Sequence, residues 1–141
     1  MQIGELYRHE AFYRNAETGE LEVKYLVLLA TLPSGDFVAR LLTSRQHGRP
    51  EEPPCFHGNP YPSYFLGVLG GPLSAKSWLD LRFLDDFDEI EFRRRIKSNR
   101  IALVDSVNAE TLMDLLDCAA AAEDTTRSQE KAIRDALATL R

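Results

Sequence analysis

Apolar residues follow two different periods along this chain, and the change of period divides it. From Glu22 to Ser44 (EVKYLVLLATLPSGDFVARLLTS) one apolar run, Tyr25 to Leu29, stops at Pro33-Ser34-Gly35-Asp36, and a second, Phe37 to Leu42, ends at Thr43-Ser44. Proline fixes φ, glycine admits φ > 0 and aspartate bonds its own backbone, so this spacing predicts a β-hairpin. The first run is apolar at successive positions, which places it inside a sheet with both faces covered. Ahead of it, the aromatic-rich segment Gln2 to Tyr13 predicts a strand pair or one bulged strand, followed by the polar turn Asn15 to Glu20. Beyond the hairpin, Ser63 to Gly70 predicts a strand ended by Gly70-Gly71-Pro72. Ser77 to Leu84 alternates, with Trp78, Asp80, Arg82 and Leu84 on one face and Leu79, Leu81 and Phe83 on the other, which predicts a strand over its whole length. Asp85 to Arg100 is charged and reads as a short helix or an excursion, and Ile101 to Val104 as a strand.

The C-terminal third has the helical period. Asn108 is suited to cap a helix from Ala109 to about Ala122, with Leu112, Leu115, Leu116 and Ala119 as its stripe. Thr126 and Gln129 match a capping box that opens a second helix to Leu140, striped by Ala132, Ile133, Ala136, Leu137 and Leu140. The expected architecture is α+β, mainly β. Residues 1–106 form the β domain, with a Pro-rich loop at 45–62, and residues 107–141 form a helical hairpin packed on that domain or at a dimer interface.

At 141 residues the chain can bury a full core without disulfides or metal. A net charge of −5 argues against broad non-specific nucleic-acid binding, but leaves room for a local basic site. No apolar run approaches the ~20 residues of a membrane span. No basic-then-apolar leader opens the chain, so no signal peptide is expected and the expected location is cytoplasmic. Cys55 lies in a Pro-rich loop and Cys118 on a helix face, contexts that predict reduced thiols. Cys55 and His57 form one Cys-x-His pair, short of the paired spacing of a zinc site, so no metal and no cofactor are expected. Arg45, His47 and Arg49 read as a solvated loop edge or, alternatively, a phosphate-gripping one beside Ser44. Arg93-Arg94-Arg95 reads as a solvated face, and Trp78 as core or interface.

Gly4-Glu5-Leu6-Tyr7, the polar turn with Gly19, the run Tyr25 to Leu29, the strand Phe37 to Leu42 and the closing Thr43-Ser44 together resemble the PemK/MazF family of toxin–antitoxin ribonucleases. The resemblance covers about the first 45 residues. It implies a small SH3-like or CcdB-like β-barrel, a homodimer, an antitoxin protein as partner, and binding and metal-free cleavage of single-stranded RNA. By position it makes Lys24, Thr43 and Ser44 the catalytic candidates, with Arg40, Arg45, His47 and Arg49 on the RNA. Lys24-Tyr25 stands where the family has Arg-Pro. Lysine supplies charge without the bidentate fork of arginine. The alternative reading is a non-catalytic SH3-like barrel serving as a protein-interaction module.

Overall fold

The computed structural model describes residues 1–141, except for the side chains of Ala11 and Tyr13. Seven strands form one antiparallel sheet: β1 (Glu5–Arg14), β2 (Leu21–Thr31), β3 (Phe37–Thr43), β4 (Cys55–Phe56), β5 (Ser63–Gly67), β6 (Ser77–Asp80) and β7 (Ile101–Ser106). Their spatial order is β4-β5-β6-β3-β2-β1-β7. Three helices accompany them, α1 (Glu89–Lys97), α2 (Ala109–Ala121) and α3 (Arg127–Leu140). The fold is α+β, mainly β.

The expected hairpin is β2–β3, registered from Tyr25 opposite Leu42 to Thr31 opposite Phe37. Its turn closes through Gly35 N–H to Leu32 O at 2.9 Å and Leu32 N–H to Asp36 O at 2.8 Å. Gly35 has φ of 97°, a left-handed conformation that favours glycine, and a Cβ there would also displace the end of the Glu89 side chain. β2 lies between β1 and β3, with both faces buried as its unbroken apolar run implies. Val27 and Leu29 join the core under α2 and α3, while Leu26 and Leu28 join a second core with Phe92 of α1. A register shift between Leu28 and Ala30 puts Leu29 and Ala30 into the same core. β1 is a single strand with a register shift between His9 and Tyr13.

Both C-terminal helices begin where their caps are written. Asn108 accepts from Thr111 N–H at 2.9 Å, and the Thr126–Gln129 box is complete in both directions. Leu112, Leu115, Leu116, Ile133 and Leu137 are buried against Leu6, Val27, Leu79 and Leu81, so the helix pair packs on the sheet. α1 forms where the sequence left a helix or an excursion open, capped by Asp88, which accepts from Glu91 N–H.

Three expectations are corrected. The strand from Ser63 ends at Gly67 rather than Gly70. The strand from Ser77 ends at Asp80 rather than Leu84. The Asp80 carboxylate accepts from Arg82 N–H at 3.0 Å and turns the chain there, leaving Phe83 half exposed. The cysteines are not free thiols: Cys55 and Cys118 form a disulfide, with Cα atoms 5.8 Å apart, that ties β4 to α2. β4 is zipped to β5 with Cys55 opposite Tyr64, and Tyr64 in turn donates to Asp114 of α2 at 2.6 Å. That packing joins two contexts that are 63 residues apart in sequence. Among the described residues, no helix is long and apolar enough to cross a membrane.

Candidate functional site

A cleft of about 660 Å3 opens where β2 begins and β3 ends. The Tyr25–Leu42 register brings Lys24 of β2 and Thr43 of β3 to the same end of neighbouring strands. Ser44, Arg45, His47 and Arg49 follow along one wall, and Pro72 to Ala75, Ser77, Asp80 and Arg82 form the other. Four cations, Lys24, Arg45, Arg49 and Arg82, face two carboxylates, Glu22 and Asp80, so the cleft carries a positive excess in a chain of net charge −5.

Its polar groups are partly committed to one another. Thr43 Oγ1 accepts from Arg45 N–H at 3.1 Å, a strand-ending turn that leaves the hydroxyl hydrogen available to donate. Ser44, Arg45 and His47 are exposed. Arg49 is buried. It donates to Arg45 O at 3.0 Å and to Asp80 at 3.4 Å, while its Nε has no partner among the described residues. Asp80 is gripped from its other side by Arg82, through Nε at 3.0 Å and Nη2 at 2.6 Å. Tyr61 offers its ring to both guanidiniums, 4.8 Å from that of Arg49 and 4.2 Å from that of Arg82.

Burial pushes the Asp80 pKa up, but the hydrogen bonds from Arg82 and the charges of Arg82 and Arg49 outweigh it, so the net shift is downward. A carboxylate with a depressed folded pKa contributes stability above its unfolded value of about 3.9 and loses it as pH falls through the lower folded value. Asp80→Asn should therefore lose about 2 kcal/mol at pH 7, because Arg49 stays buried without its carboxylate. The difference from the parent should begin to close below about pH 4 and disappear only below the lowered folded pKa, as read from urea midpoints at neutral and strongly acid pH. An equal deficit at both would assign the loss to packing alone.

Of the residues singled out in the sequence, Lys24, Thr43, Ser44, Arg45, His47 and Arg49 line this cleft together. Arg40 does not. It stands opposite Val27 on the sheet face covered by α2 and α3, buried, donating to Ala39 O at 2.8 Å and Gln129 Oε1 at 2.9 Å. Alternation along β3 puts Arg40 on the same face as Leu42, but that face is the core face, and Ser44 lies past the end of the strand. Asp80, Arg82 and Tyr61 were missed. The available signal was Asp80-x-Arg82, opposite charges one residue apart in an otherwise apolar segment. The group with metal-ligand chemistry, Cys55, His57 and Cys118, lies outside the cleft.

Comparison of the chain with protein-family models, with curated proteins and with solved structures finds no match.

Proposed function

We propose that this cleft binds single-stranded RNA and cleaves it without a metal, in the manner of PemK/MazF-type toxins, on a sheet that curls into an SH3-like barrel. The observation that carries the reading is the gathering of Lys24, Thr43, Ser44, Arg45, His47 and Arg49 into one cationic cleft on an acidic protein. Arg45 and Lys24 are placed to neutralise backbone phosphates, and Tyr61, stacked on two guanidiniums, rigidifies that side. In the reaction, the 2′-hydroxyl loses its proton and attacks the adjacent phosphorus. The phosphorus–5′-oxygen bond breaks, the 5′-oxygen leaves with a proton, and a 2′,3′-cyclic phosphate remains. Lys24 and the hydroxyls of Thr43 and Ser44 would donate to the phosphorane oxygens, where charge builds up. The exposed His47 imidazole has the chemistry to move a proton. The same positive excess would accept the acidic segment of an antitoxin-type partner in a cytoplasmic homodimer.

One observation favours a non-catalytic interaction module instead. Arg49 and Arg82 are both engaged with Asp80, and Lys24-Tyr25 replaces the family's Arg-Pro, so neither of these two guanidiniums is aimed as a free fork.

Incubation with mixed-sequence single-stranded RNA in EDTA separates the two. Cleavage by the parent to cyclic-phosphate ends, abolished in Thr43→Ala/Ser44→Ala, is the expected result. Binding should weaken linearly with log salt, and Lys24→Ala and Arg45→Ala should each reduce that slope by about 0.7. Binding without cleavage would keep the RNA site and remove the catalysis. Neither binding nor cleavage at low salt would leave the interaction module.

A further inference from the structure

Cys55, His57 and Cys118 form a second centre, at the far end of the same Pro-rich loop that supplies one wall of the cleft. The sequence shows one pair, Cys55-x-His57, and folding adds Cys118 from α2. His57 Nε2 lies 3.6 Å from Cys55 Sγ and 3.5 Å from Cys118 Sγ. A tetrahedral zinc with Zn–S of about 2.3 Å and Zn–N of about 2.0 Å sets a nitrogen-to-sulfur edge of about 3.6 Å. The imidazole thus stands at ligand distance from both sulfurs at once, an arrangement that a disulfide does not by itself require.

We propose that reduction of the Cys55–Cys118 bond converts this trio into a Cys2His site for a thiolate-preferring divalent cation of the zinc type. The step balances simply. A dithiol reductant supplies two electrons and two protons, becomes a disulfide itself, and leaves two thiols. The incoming cation displaces both thiol protons and is held by two thiolates and one imidazole, with water in the fourth position. For ligation, His57 must carry its proton on Nδ1 and give up its 2.9 Å contact with Cys118 O. The two sulfurs must separate to about 3.8 Å, the sulfur-to-sulfur edge of the same tetrahedron. Rotation about each Cα–Cβ bond allows this without moving β4 from β5, because the ladder there is made by backbone groups of Cys55 and Phe56. In both states the loop between β3 and β5 stays pinned to α2, by a covalent bond in one and by a metal in the other. The centre is a redox-exchanged clamp on the loop that carries Arg45, His47 and Arg49. It does not depend on what the cleft binds.

The test titrates the full chain with Co2+ after reduction by a phosphine, which brings no thiolate of its own. The expected result is one cobalt per chain with a sulfur-to-cobalt charge-transfer band, displaced by Zn2+ and absent from the unreduced protein. Loss of an outer partner of a metal ligand already costs 10–100-fold in affinity, so His57→Ala, which removes a ligand, should cost at least about 100-fold. Cys118→Ser should abolish the band. Circular dichroism on each sample reports folding. No charge-transfer band in a reduced, folded chain overturns the proposal. So does a band of unchanged affinity in His57→Ala, and so does a reduced chain that is unfolded with and without zinc.

Discussion

Gln129→Leu should destabilise the protein by about 3–4 kcal/mol, although leucine fills nearly the same volume. Gln129 is buried and uses its whole amide. Its Oε1 accepts from Arg40 Nη2 at 2.9 Å and from Thr126 N–H at 3.2 Å, and its Nε2 donates to Leu84 O at 3.1 Å and Asp86 at 2.8 Å. Leucine would remove the side-chain acceptor of a guanidinium sealed between sheet and helix, together with half of the α3 capping box, which is worth about 1 kcal/mol. Burial lowers the Arg40 pKa, yet arginine stays charged at any working pH, so the charge cannot be relieved by losing a proton. A fall in melting temperature on the order of 10 °C is expected. Arg40→Met combined with Gln129→Leu should recover most of it, because no buried charge is then left unpartnered. A single-variant loss below about 1 kcal/mol would show that the carbonyls to which Arg40 Nη1 also donates, Ala39 O at 2.8 Å and Leu84 O at 3.5 Å, suffice for it.

Phe92→Ala should cost about 3–5 kcal/mol, the range for emptying a buried aromatic site. Phe92 is the residue through which α1 is buried, and its ring meets three others edge-on. The centroids lie 5.4 Å from Tyr7, 5.3 Å from Phe37 and 5.7 Å from Phe87. Beyond Phe92, α1 is held by the partly buried Ile96 and by surface pairs such as Arg93–Glu89 and Arg95–Glu91, each pair worth a few tenths of a kcal/mol. Amide exchange should therefore quicken through α1 and the Phe37–Phe87 bridge more than through α2 and α3, whose core is separate. Ile90→Ala, on the exposed side of the same helix, should stay within about 0.5 kcal/mol. Equal losses from the two variants would mean that α1 is not held by this ring cluster.

Sequence alone settled what depends on neighbours along the chain. The β2–β3 hairpin follows from Pro33-Ser34-Gly35-Asp36 between two apolar runs, and the interior place of β2 from apolar residues at both parities. The starts of α2 and α3 follow from Asn108 and from the Thr126–Gln129 box, because a cap is satisfied within three residues. Even the cleft was half legible, since Lys24, Thr43, Ser44 and Arg45 sit at the ends of paired strands whose register the turn dictates.

Tertiary structure decided what depends on which side of the sheet is covered and by what. Period two says that Arg40 shares a face with Leu42, but only the docking of α2 and α3 makes that face the interior and takes Arg40 from the cleft to Gln129. Asp80 and Arg82 enter the site because a carboxylate–backbone bond ends β6 early and swings Arg82 back, a competition between side chain and ladder that alternation does not register. Cys55 and Cys118 meet because β4 zips to β5 and α2 lies across that edge. A contact between residues 63 apart in sequence is written in no local pattern, and it exists only once the core beneath it has formed.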